Sequence, residues 1–221
     1  MTCAAVILFL AWLDHPARAD RTVQSSSNVA TPQNAGEAKR LNNLGTAYMA
    51  RQNFELALQQ FQQAAALDPQ LSVARLNEGV ALFNMQKFED ARAALQKFAQ
   101  ENPESARAWY NLGLLDRNQG DAKSALDAFE RVLKLAPRDA DAWYFAGMAQ
   151  DDLHDESAAL EAFTKALELN PLHASAEFGS ARAYQRLGDA AKAKQHFDRF
   201  QELTQRKLAA PLSLTYGDQG A

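Results

Sequence analysis

Gly45, Gly79, Gly113 and Gly147 follow one another at intervals of 34 residues without a slip, and Ala181 holds the equivalent place in a fifth unit. Three further series keep the same interval: Ala57, Ala91, Ala125, Ala159 and Ala193; Phe61, Leu95, Phe129, Phe163 and Phe197; and Pro69, Pro103, Pro137 and Pro171. A fixed interval of this size marks a stack of like units, because one unit alone leaves an apolar face that only its neighbours bury. The series divide the chain into five units, 38–71, 72–105, 106–139, 140–173 and 174–207.

Each unit reads as two helices. In the third, Trp109, Leu112 and Gly113 recur at helical spacing, Gly120-Asp121 punctuates, and Ala125, Phe129 and Val132 follow on one face of a second helix. Pro137 then ends the unit, since proline cannot continue a helix. Gly120 and Gly188 stand at the turn inside their units, where glycine adopts a left-handed conformation cheaply. The glycine series is expected to face the alanine series, letting paired helices approach closely, with the aromatic or leucine series filling the space between units. The predicted fold is all-α, a solenoid of five helix-turn-helix repeats.

The flanks differ. Cys3 to Leu13 is an apolar run of signal-peptide length and too short to span a bilayer, followed by Ala17-Arg18-Ala19 before Asp20. Residues 1–19 therefore read as a secretory signal, although Met1-Thr2 brings no basic residue, and the chain is expected to be exported to the periplasm or beyond. A membrane association would follow only if this segment stayed uncleaved. Cys3 is the single cysteine, so the mature chain would hold no disulfide and no thiolate metal site. Residues 20–37 are polar and read as a disordered linker; residues 208–221 read as a C-terminal tail. The formal net charge of −4 offers no basic excess for nucleic acid.

The W-x2-L-G pattern at Trp109–Gly113, with the alanine, phenylalanine and proline that follow, resembles the tetratricopeptide repeat family, of a bacterial exported type, from Ala38 to about Lys207. Arg75 and Glu177 depart from it where Trp or Leu is usual, as do Glu78 at a leucine position and Asp116 and Gln150 at a tyrosine position. The resemblance implies a right-handed superhelix with a concave groove lined by the first helix of each unit. It also implies a non-catalytic scaffold that holds a protein or peptide partner.

Carrying the family's inward-facing positions onto this chain gives Lys39, Asn42, Asn43, Thr46 and Met49 in unit one. Unit two supplies Val73, Leu76, Asn77, Val80, Phe83 and Asn84, and unit three Arg107, Tyr110, Asn111, Leu114, Arg117 and Asn118. Unit four supplies Asp141, Tyr144, Phe145, Met148, Asp151 and Asp152, and unit five Ser175, Phe178, Arg182, Gln185 and Arg186. Asn43, Asn77 and Asn111 recur at 34-residue spacing and could donate to and accept from an extended peptide backbone. Leu76, Val80, Phe83, Tyr110, Leu114, Tyr144, Phe145, Met148 and Phe178 offer apolar contact, with Tyr110 and Tyr144 expected in the groove and Trp109 and Trp143 in the core. The family's clamp for acidic chain ends falls on Asn42, Thr46, Asn77, Arg107 and Asn111; two of its cations are missing, so acidic chaperone tails are not expected to bind.

Unit four carries seven acids against one base and unit five seven bases against four acids, which reads as solvated faces or as a device orienting a partner. Asp151, His154, Asp155 and Glu156 gather at a helix–turn junction; with a single imidazole they read as a polar turn and not a metal site. No phosphate loop, nucleophile elbow or HExxH motif occurs, and no enzyme activity, catalytic residue or cofactor is expected. Two alternatives to a partner-binding scaffold stand: a self-assembling module, with Phe197 and Phe200 at an uncapped end, and an interaction domain detached from a larger exported protein.

Overall fold

The computed structural model describes residues 31–209, so the segments read as signal peptide, most of the linker and most of the tail lie outside the described residues. Among the described residues the chain forms ten α-helices and no strand. They are α1 (Pro32–Ala50), α2 (Phe54–Leu67), α3 (Ser72–Asn84), α4 (Phe88–Glu101), α5 (Ala106–Asn118), α6 (Ala122–Leu135), α7 (Ala140–Asp152), α8 (Glu156–Leu169), α9 (Ala174–Arg186) and α10 (Ala190–Gln205). None is long and apolar enough to cross a membrane.

Side-chain caps start most of these helices. Ser105, Asp139 and His173 accept from the backbone N–H three residues on at α5, α7 and α9, and Asn53, Asp121, Asp155 and Asp189 do so at α2, α6, α8 and α10. Each cap satisfies a donor that the helix itself leaves unpaired. At Asp121 and Asp189 the same backbone N–H bonds hold the carboxyl below its ordinary pKa. Thr31 caps α1 with Pro32 in its first turn, so residues 32–37 are helical and not linker. Their polarity hid this start, whereas a Thr-Pro pair suits a helix entrance. Lys87 stands at the cap position of α4 and forms no such bond. Lys87→Asn, which copies Asn53, is expected to raise stability by about 1 kcal/mol in urea denaturation; an unchanged midpoint would contradict that assignment.

The turn inside each unit places one residue in the left-handed region, at Gln52, Gln86, Gly120, His154 and Gly188, again 34 apart. Only two of the five are the glycines that this conformation favours.

Each helix packs on its sequence neighbours. In addition α1 touches α3, α3 touches α5 and α7 touches α9, while no pair of even-numbered helices packs to a comparable extent. The odd-numbered helices therefore line the tighter, inner side of the stack. The core is strung along the joints: Leu95, Phe98, Leu112 and Leu115 join units two and three, and Tyr110, Phe129, Val132 and Phe145 join units three and four. The glycine series does bring paired helices close, most tightly against the ring or leucine of the paired helix, with the Ala159 backbone also near Gly147. A Cβ on Gly45 would sit 2.5 Å from Phe61, one on Gly113 2.7 Å from Phe129, and one on Gly147 2.7 Å from Phe163.

Tryptophan ties each of two units to the turn before it, Trp109 Nε1 donating to Pro103 O (2.8 Å) and Trp143 Nε1 to Pro137 O (3.0 Å). Where the pattern departs from its consensus, polar cross-links take over. Arg75 pairs with Glu101, Glu177 with His196 (2.6 Å), and Gln62 donates to Glu78 (3.0 Å). Asp116 is buried against Arg92 of the preceding unit; burial raises its pKa despite that pairing.

Candidate functional site

On the inner side, α1, α3 and α5 border a cavity of about 600 Å³. Its lining combines amides (Asn42, Gln52, Asn77, Asn84, Asn111), the Thr46 hydroxyl, apolar groups (Met49, Ala50, Phe54, Phe61, Val73, Val80) and one charged residue, Arg107. A polar seam crosses the three helices. Asn77 Nδ2 donates to Asn42 Oδ1 (2.9 Å), Arg107 Nη2 donates to Asn77 Oδ1 (3.4 Å), and Asn111 Nδ2 donates to the Arg107 carbonyl (2.7 Å). Of these, Asn77 and Asn111 keep the 34-residue spacing, while Asn42 stands 35 residues before Asn77 and Arg107 one helical turn before Asn111, so side chains from three units meet. The lining holds no acid, histidine, cysteine or lysine, so its chemistry is hydrogen bonding and apolar contact.

Of the expected asparagine series, Asn77 and Asn111 line this cavity, while Asn43 is exposed and absent from the lining. Its neighbour Asn42 takes that place, because adjacent helical residues point about 100° apart and only one of the two faces α3. Among the apolar candidates Val80 lines the cavity. Leu76, Tyr110, Leu114 and Phe145 belong to the core instead, so the groove placement expected for Tyr110 is corrected. Tyr110 is 0% exposed, held edge-on by Phe129 (5.7 Å) and Phe145 (5.8 Å).

The remaining candidates lie farther along. Phe83 is half-buried against Phe88 (6.2 Å), and Met148 is half-buried. Tyr144 is half-buried on Phe145 and His173, and burial raises its pKa against the lowering influence of the nearby Arg117 and Ser175. Phe178 is exposed and meets Phe200 of α10 (5.2 Å), toward the C-terminal end of the stack. The cavity's Asn42, Thr46, Met49, Val73, Asn84 and Arg107 fall within the wider inward-facing set. Gln52, Phe54 and Phe61, from the first turn and α2, do not, and no helical periodicity marks them.

The charge asymmetry of units four and five is spent in part inside the chain. Asp151, whose side chain is 3% exposed, pairs with Arg182 (3.0 Å) and Arg186 of α9. That pairing ties unit four to unit five, so Asp151 is neither solvated nor open to a partner. His173 Nδ1 accepts the Ala176 N–H, which places the ring proton on Nε2, 3.0 Å from Asp141 Oδ1. At the helix–turn junction Asp155 caps α8 and His154 occupies the left-handed turn position. Among the described residues no three His, Cys, Asp or Glu side chains converge as a metal site would require.

Comparisons with known proteins agree with this architecture. Tetratricopeptide repeat models match residues 38–71, 76–121, 106–139 and 147–206, together well over half of the chain. The structure is similar to MamA (residues 41 to the end) from Desulfovibrio magneticus RS-1, at 26% identity and a TM-score of 0.70, covering 77% of this chain and 97% of that one. It is similar in fold to PilF of Pseudomonas aeruginosa, at 21% identity and a TM-score of 0.71, covering 77% of this chain and 78% of that one. A search of curated proteins finds no match. Ten helices in five stacked hairpins among the described residues, glycines pressed against the ring or leucine of the paired helix, and these repeat matches place the chain in the tetratricopeptide repeat family.

Proposed function

We propose that the chain is a protein-interaction scaffold whose inner wall, built from the odd-numbered helices, holds a segment of a partner protein. The observation that carries this reading is the cavity bordered by α1, α3 and α5, where amides and apolar groups from three units converge. Amides both donate and accept, so such a wall suits polypeptide, each net hydrogen bond contributing about 0.5–1.5 kcal/mol. Its one hydroxyl, Thr46, donates to the Asn42 carbonyl with no acid or base of the lining beside it, which favours holding over catalysis. The leader-like run Cys3–Leu13 supports a partner met outside the cytoplasm.

Asn77→Ala combined with Asn84→Ala tests the reading. The pair is expected to lower retention of a partner from the native source about tenfold, with the helical circular-dichroism spectrum unchanged. Equal retention by wild type and variant would remove the inner wall as the docking surface. Self-assembly is the second reading. Phe178, Phe197 and Leu187 are exposed at the last unit, and light scattering at rising concentration separates a self-associating chain from a monomer.

A further inference from the structure

Arg75 stands where units three and four carry Trp109 and Trp143. Each of those indoles is tied by its N–H to the turn before it, and the Trp109 ring also carries the Arg131 guanidinium over its face, 4.3 Å from the centroid. One period earlier, unit two has Arg75 in place of the indole and Lys97 in place of Arg131. An arginine side chain is thinner than an indole, and a cavity of about 220 Å³ opens at this place. Arg75 and Glu78 of α3 line it, with Ala94, Lys97, Phe98 and Glu101 of α4. Glu78 and Ala94 stand one period before Leu112 and Ala128, which pack in one core cluster with Trp109, so the cavity occupies the slot that an indole fills in unit three. It shares no lining residue with the cavity bordered by α1, α3 and α5.

The slot keeps the chemistry of an indole site without the indole. Phe98 and Ala94 give apolar contact, and two bases balance two acids, which suits an uncharged ring. Arg75 Nε is buried with no hydrogen-bond partner, and the face of an aromatic ring is an acceptor that such an N–H can use. Lys97 is exposed at the mouth, as a cation that can lie over the same ring. The other charged groups are engaged, Arg75 with Glu101 and Glu78 with Gln62, so nothing converges on the ammonium and carboxylate of a free amino acid. A ring carried on a polypeptide needs neither.

We propose that unit two holds a docking site separate from the inner wall, in which a tryptophan side chain of a partner polypeptide seats against Phe98 and Ala94 under the Arg75 and Lys97 cations. The partner supplies from outside the ring that units three and four supply from within. The site does not depend on what the inner wall holds.

N-acetyl-L-tryptophanamide, titrated into the isotope-labelled full chain and followed by NMR, tests this against N-acetyl-L-leucinamide and free tryptophan. The tryptophan amide is expected to shift the Ala94 methyl and the Lys97 side chain while leaving the Val80 methyl of the inner cavity unmoved; the leucine amide is expected to shift neither. Arg75→Trp, which copies Trp109 and closes the slot, is expected to abolish the shifts with the helical circular-dichroism spectrum unchanged. Lys97→Glu, on an exposed position that leaves the core untouched, is expected to weaken binding about threefold, and it decides the matter if Arg75→Trp does not fold. No shift at Ala94, equal shifts from the leucine amide, tighter binding of free tryptophan, or wild-type binding by either folded variant would overturn the inference while leaving the inner wall's role as it stands.

Discussion

Replacing Phe129 with alanine is expected to cost about 3–5 kcal/mol. The ring is 0% exposed, stacked on Phe145 at 5.3 Å and 14°, met edge-on by Tyr110, and backed by Gly113 at the distance where a Cβ would collide. It therefore belongs to three helices and two units at once. Losing it removes transfer free energy and leaves a cavity that neighbours on three sides cannot collapse into. Because a repeat stack is stabilised by unit-to-unit joints, the damage should be local. Urea denaturation is expected to shift by that amount, and amide exchange to quicken in α5 to α8 before α1 and α2. Uniform exchange along the chain would show that the joints are not independent elements.

Gly147→Ala is expected to cost about 1–3 kcal/mol, a large effect for one methyl group. The added Cβ would lie 2.7 Å from Phe163 and 3.1 Å from the Ala159 carbonyl. The ring has little room to retreat, because Gly179 of the next unit is pressed against it as well, a Cβ there also falling 2.7 Å from it. Gly36→Ala, with nothing within 4 Å, is the control, and a small gain in helix stability is expected there. Thermal melts of the two variants give the comparison; equal melting temperatures would contradict the close approach at Gly147.

These two positions show what could be read without a structure. The glycine and phenylalanine series, the proline stops and the helix pairs follow from the period alone, since identical units must solve the same packing problem. What the period cannot supply is which of two adjacent residues faces inward. Tyr110 and Tyr144 are equivalent by count, yet Tyr110 is sealed by Phe129 and Phe145 while Tyr144 stays half-buried beside Ser175. Asn43 recurs with Asn77 and Asn111, but Asn42 makes the bond to Asn77. Charge pairing is equally hidden: a composition count sees acidic and basic units, whereas Asp151 is consumed by Arg182 and Arg186 one unit away. The helical stretch 32–37 was obscured because polarity argues for a linker and only the Thr31-Pro32 entrance argues against it.

The docking role of the inner wall is tested most directly by a photo-crosslinking residue placed singly at Asn84, on α3, or at Lys123, exposed on α6. Both variants would be irradiated in the native setting. The account predicts a discrete partner adduct through position 84 and none through position 123. Adducts through position 123 alone would place the partner on the outer helices and contradict it.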